Sequence, residues 1–187
     1  MFAALGSRGP EAIEVARSIA GSAFVANEGQ REPTFTSLVI GEDRDAVAAV
    51  ADVGLYRVQV RRMRHQRRFW APGEPTPGVT AAFGMVRRPD LAHVDSDAHW
   101  RDVHAPLALR RHPGMWHYHQ VSIDEVLEGR AFDGIALCAF ASEQDLVERF
   151  FGGPEDQEVI RADVASFADM VASPRRVRMT EWRFGPD

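Results

Sequence analysis

One arrangement of strand-like and helix-like runs occurs twice along the 187 residues, and it constrains the fold more than any single motif does. Phe2 to Leu5 reads as a short strand. After Pro10, the residues Ala12, Ile13, Ala16, Ile19 and Ala20 recur at helical spacing until Gly21 ends the run. Phe24 to Asn27 supplies a strand and Thr34 to Ile40 another, closed by Gly41. Arg44 to Val53 reads as a helix stopped by Gly54, and Tyr56 to Phe69 as a long strand. The order is β-α-β-β-α-β, the ferredoxin-like unit.

A loop rich in proline and glycine, residues 71–78, precedes the second round. Val79 to Val86 is its first strand. Ser96 reads as the N-cap of a helix from Asp97 to about Leu109, on which Trp100, Val103 and Leu107 share a face. Met115 to Ser122 and Gly134 to Phe140 are strands, and Ser142 caps a helix running to Phe151. A short helix around Asp163 to Val171 leads to the last strand, Val177 to Phe184. A four-stranded sheet with helices on one face leaves its other face wet, and packing two such faces together buries both. The expected class is therefore α+β, with two ferredoxin-like (βαββαβ) repeats packed sheet to sheet as an intrachain α+β barrel around an internal space. Residues 1–70 form the first repeat, 71–78 the linker and 79–187 the second. A homodimer could add to such a barrel without being needed to close it.

A net charge of −5 argues against a general nucleic-acid binder, which needs a basic surface for phosphates. The longest wholly apolar stretch, Ile135 to Ala141, is too short to span a bilayer, so no membrane partner is expected. Cys138 is the single cysteine, which excludes an intrachain disulfide, and the N-terminus lacks the pattern of a secretory signal. The expected location is cytoplasmic.

Six of seven histidines fall between His93 and His119, in the second repeat's first helix and the strand after it. Imidazole changes charge most easily near neutral pH, so a cluster of this kind points to proton transfer. The run His99-Trp100-Arg101-Asp102-Val103-His104-Ala105-Pro106-Leu107-Ala108, with Arg111-His112-Pro113-Gly114 after it, resembles the EthD-like family of the dimeric α+β barrel superfamily. Tyr118, Asp133-Gly134, Arg161-Ala162-Asp163, Phe167 and Asp169 extend the resemblance across about Val79 to Phe184. The first half lacks these signatures and looks like a degenerate repeat that completes the barrel. The resemblance implies a small-molecule cavity, and polyketide cyclases, lactone isomerases and decarboxylases occur in the wider superfamily, as do haem-binding members.

His104 lies one turn after Trp100 at the margin of the apolar face, where a partly desolvated imidazole could serve as general base. Strand alternation puts His117 and His119 on one face and Trp116, Tyr118 and Gln120 on the other, without deciding which face meets the cavity. Tyr118 matches a residue common in the family, and a phenol beside an imidazole makes an acid–base or oxyanion-stabilising pair. The candidate catalytic residues are therefore His104, Tyr118, His117 and His119. The candidate substrate-binding residues are Trp100, Trp116, Arg101, Asp163 and Trp182.

His117-x-His119 could chelate a metal with His104 or Asp163 as third ligand, but no cysteine pair or carboxylate-rich motif supports this, and no metal is expected. Cys138 in its apolar strand reads as an inert hydrophobe. Arg57, Arg61, Arg62, Arg64, Arg67 and Arg68 read as a solvated or ion-paired sheet face, from which one inward arginine could anchor an acidic substrate. The leading expectation is a lyase, isomerase or cyclase without cofactor, acting on a small cyclic or aromatic, polyketide-like or lactone-like substrate. The alternatives are a non-catalytic small-ligand binding protein and a haem- or metal-dependent oxidative enzyme.

Overall fold

The computed structural model describes residues 1–186. Eight antiparallel strands close into a barrel: β1 (Phe2–Gly6), β2 (Ser22–Ala26), β3 (Ser37–Gly41), β4 (Gly54–Arg64), β5 (Val79–Met85), β6 (Met115–Gly129), β7 (Gly134–Phe140) and β8 (Val177–Arg183). Around the barrel they run β1-β3-β2-β8-β5-β7-β6-β4, and β4 pairs back to β1. Each repeat keeps its four strands together. The halves meet edge to edge, β2 on β8 and β4 on β6, so that the second strand of each repeat pairs with the fourth of the other. Face-to-face burial is thus accompanied by continuous hydrogen bonding, which removes every sheet edge.

An eight-stranded barrel has an interior that side chains can fill, and here they largely do. Leu5, Leu38, Tyr56, Val58, Val121, Ile123, Ile135, Leu137 and Met179 form one buried cluster within it. The internal space expected between the two sheets is therefore mostly occupied by aliphatic side chains. Helices cover the outside. In the first half α1 (Gly9–Ser18) and α2 (Arg44–Ala48) lie over the sheet, where Ala4, Ala12, Ala16 and Ala23 pack with Val39, Val47 and Leu55. In the second half α3 (His93–His99), a wide turn (Trp100–His104), α4 (Ala105–Arg111), α5 (Glu143–Glu148) and α6 (Pro154–Phe167) lie over β5, β6 and β7. No helix among the described residues is long and apolar enough to cross a membrane.

Several expectations about elements change: α2 stops at Ala48 rather than Val53, and α5 stops at Glu148 rather than Phe151. The strand expected to Phe69 ends at Arg64. Beyond it the chain turns across the barrel end, held by Arg68 Nη1 donating to the Arg183 carbonyl (2.7 Å). The helix expected from Asp97 begins at His93, and Ser96 is a buried residue of its second turn rather than its cap. The Ser96 hydroxyl donates to the Phe167 carbonyl (3.1 Å) and so ties α3 to the end of α6. α6 is fourteen residues long and not the short helix expected. Its start, Pro154 followed by Glu155 and Asp156, suits a helix N-terminus, but only Ile160, Val164 and Phe167 mark the buried face. Finally, β6 runs seven residues past Ser122, because Ile123 points into the barrel and β4 supplies a partner as far as Gly129. Ser142 does cap α5, accepting the Asp145 amide (3.0 Å).

Candidate active site

The feature that builds the site is a single wide turn in the helix over β6. Pro106 has no N–H, and its ring collides with the carbonyl of residue 102 in a regular helix. The chain responds with a π-type turn over Trp100–His104, in which the Ala105 amide reaches the Trp100 carbonyl. That carbonyl also accepts the Gln120 side-chain amide (2.8 Å), which pins the turn to β6.

Two side chains of the turn face the sheet. Trp100 is almost wholly buried against Gly134, where any added Cβ would stand 2.4 Å from the indole ring. His104 follows one turn later, and its Nδ1 lies 2.7 Å from Asp163 Oδ2 of α6. The other oxygen of Asp163 accepts from His99 Nε2 (2.9 Å). Burial alone would raise the Asp163 carboxyl, but the hydrogen bonds from His104 and His99 outweigh it and hold the group below the usual carboxylate range. An ionised carboxylate accepts only, so Nδ1 of His104 is the protonated nitrogen of the pair, and the lone pair of the neutral ring is on Nε2.

Between α4, α6 and the outer face of the sheet lies a cavity of about 300 Å³. His104, His112, Trp100 and Tyr118 line it together with Phe83, Phe150 and Phe167. The Tyr118 hydroxyl accepts from Trp100 Nε1 (3.2 Å) and from Gln120 Nε2 (3.1 Å). With its lone pairs engaged by donors, the phenol has its own O–H to give. Burial raises its pKa far above the ordinary tyrosine value, so it remains protonated. Cys138 also lines the cavity, but burial pushes its thiol up to about 12, which leaves it an inert wall. His112 is lowered by burial, although its Nδ1 hydrogen bond to the Phe150 carbonyl works the other way.

Residues 88–170 match the EthD domain family. A comparison with curated proteins gives no match. Among solved structures, an anthrone oxidase-like protein superposes over 98% of this chain and 92% of its own, with a TM-score of 0.54 and 11% identity. A monooxygenase-named protein from Lactobacillus acidophilus NCFM covers 98% of this chain and 95% of its own, at a TM-score of 0.48 and 10% identity. At these identities the first likeness concerns the fold.

The second half thus brings His104, Trp100, Tyr118 and Asp163 together, with Asp163 behind His104 as its anchor. It does not bring the other candidates there. His117 and His119 point to the opposite side of β6, into the barrel end, where their rings lie 3.9 Å apart. Burial, the neighbouring histidines and Arg183 drive His117 down to about 2; burial, His65 and Arg62 drive His119 down to about 3. Arg101 is exposed and paired with Asp102 (2.6 Å). Trp116 stands at the irregular start of β6, edge-on to Phe69. Trp182 alternates with the inward-facing Glu181 and Arg183 and so sits outside the barrel, on the β2 side. Of the arginines on β4, Arg61 forms a paired contact with Asp97 (2.6 and 2.9 Å) and Arg57 meets Glu125. Reading the sequence missed His99, His112 and Gln120 as members of the site. His99 and His112 belonged to the histidine cluster, and the i, i+2 alternation from Tyr118 was the signal for Gln120.

Proposed function

We propose that this protein is a cofactor-independent enzyme that moves protons on a small cyclic or aromatic carbonyl compound. His104 acts as general base and Tyr118 as donor to the oxygen on which charge develops. The observation that carries the reading is the His104–Asp163 pair set in an apolar cavity whose wall also presents a protonated, doubly supported phenol. The carboxylate fixes the imidazole tautomer and steadies the imidazolium formed when Nε2 takes a proton. As that proton leaves a carbon next to a carbonyl, negative charge moves to the oxygen, where a preset O–H stabilises it. The aromatic walls suit a flat, largely apolar ring system, and 300 Å³ is at the small end for ligand cavities. A lyase, isomerase or cyclase acting on such a compound can open with this step. Oxidation of an anthrone-type ketone also begins with loss of an activated proton, so anthrone is a suitable probe.

The test follows deuterium exchange at the activated carbon of anthrone, of cyclic 1,3-diketones and of unsaturated lactones by NMR. The wild type should accelerate exchange for one of these classes. His104→Ala should slow it by roughly 10²–10⁴-fold, the usual worth of a positioned base. Tyr118→Phe should slow it less, by about tenfold or more, because one donor is lost. Saturable binding with no exchange above background would make the protein a ligand carrier. A Soret band in the purified protein would replace this reading with a haem-dependent one.

A further inference from the structure

The seventh histidine, His65, stands apart from the others in sequence but not in space. It follows β4, where the chain turns across the barrel end, and its Nδ1 lies 3.3 Å from His119 Nε2. Two nitrogens bound to one tetrahedral zinc at 2.0–2.1 Å stand roughly 3.4 Å apart, so this pair already has ligand-to-ligand spacing. His117 completes the set: one ring nitrogen from each of His65, His117 and His119 lies within 4.8 Å of the other two. His117 and His119 are buried, and His117 Nε2 has no hydrogen-bond partner among the described residues. A buried imidazole nitrogen without a partner is costly unless something else satisfies it.

We propose that His65, His117 and His119 form a binding site for a divalent transition-metal ion of the imidazole-preferring class, with zinc as the representative. Imidazole suits zinc, copper and nickel, and three histidines with one open position are a familiar zinc set. His65 and His119 also line a second cavity of about 330 Å³ at the barrel end, together with Arg62, Glu181 and Arg183. Arg62 there favours a negatively charged fourth ligand, such as hydroxide or a carboxylate. Glu181 lies 3.4 Å from Arg183 and offsets the positive charge that would oppose a cation. Binding has one local requirement. The Gln66 amide donates to His117 Nδ1 (3.0 Å), and a metal on either ring nitrogen ends that bond: on Nδ1 by taking the lone pair, on Nε2 by moving the ring proton to Nδ1. Gln66 follows His65 directly, so the ligand and the competing amide shift together. The site lies across β6 from the Tyr118 cavity and does not depend on the proton-transfer reading.

The test is titration of the untagged full chain with zinc sulfate by calorimetry, and with cobalt chloride by visible absorption. One equivalent should bind, and cobalt should give the intense d–d bands of a four-coordinate site. His65→Ala should weaken binding by roughly a hundredfold or more, since a two-histidine remainder lacks a full ligand set. His65 is only half buried and lies outside the strands, so this variant keeps the fold. His119→Gln, checked for native circular dichroism, should give the same loss. His93→Ala, distant on α3, should bind as the wild type does. No stoichiometric uptake of either metal, or uptake unchanged in His65→Ala and His119→Gln, would overturn the proposal.

Discussion

At the scale of single residues, hydrogen-bonding geometry assigns the roles, and residue type alone does not. His104 and His112 line the same cavity and differ in what their Nδ1 atoms meet: a carboxylate for one, a backbone carbonyl for the other. Burial lowers the His112 ring in the folded chain, while its unfolded counterpart titrates near the ordinary histidine value. The unfolded state then binds more protons as the pH drops below about 6.5, and folding stability declines in that direction. Urea unfolding at pH 7.5 and pH 5.5 should show this decline, and His112→Gln should make the difference between the two smaller. An equal pH dependence in the variant would refute the assignment.

The same scale shows what could be read from sequence. That His104, Trp100, Tyr118 and Asp163 would lie together was legible because they fall in the segments that resemble a known family. Trp182 and Arg101 were not, because an aromatic or guanidinium side chain suits an outer surface as well as a binding wall. His65 gave no local signal. Its partners are more than fifty positions away, and β4–β6 pairing alone brings them together.

At the scale of elements, the wide turn before α4 is the decisive local feature. Pro106→Ala restores the missing amide and removes the ring clash, so the helix can relax toward regular winding. The variant should be as stable as the wild type or slightly more so, yet deuterium exchange should fall by about tenfold or more because His104 rotates away from Asp163. Unchanged exchange would show that the turn does not position the base. The order of elements was legible because strand and helix periods differ, and β5, β7, α1 and the Ser142 cap fall where the pattern puts them. The facing of β6 was undetermined, because both sets of side chains are buried, one by helices and one by the opposite barrel wall. Two-residue alternation separates polar from apolar faces only when one face is wet.

At the scale of the molecule, the closure pattern predicts how the second half behaves alone. Residues 79–187 by themselves would expose β6 and β8, the edges that β4 and β2 cover here. Because these two contacts pair second strands with fourth strands, a second copy of the fragment offers the same complement. Expressed alone, the fragment should sediment as a dimer or larger; a soluble, folded monomer would contradict the closure argument. The intact chain needs no such partner to complete the barrel.

Joining the two repeats in one polypeptide also frees them to change separately. In a barrel of two identical copies, every substitution is made twice, so both helix layers must suit both chemistry and support. Here α1 packs down on the sheet through Ala12 and Ala16, while α4 stands over a cavity and carries a proline that distorts the turn before it. One half can therefore accumulate tight, unreactive packing and hold the scaffold, while the other tolerates the irregular backbone and buried polar groups that reactivity requires.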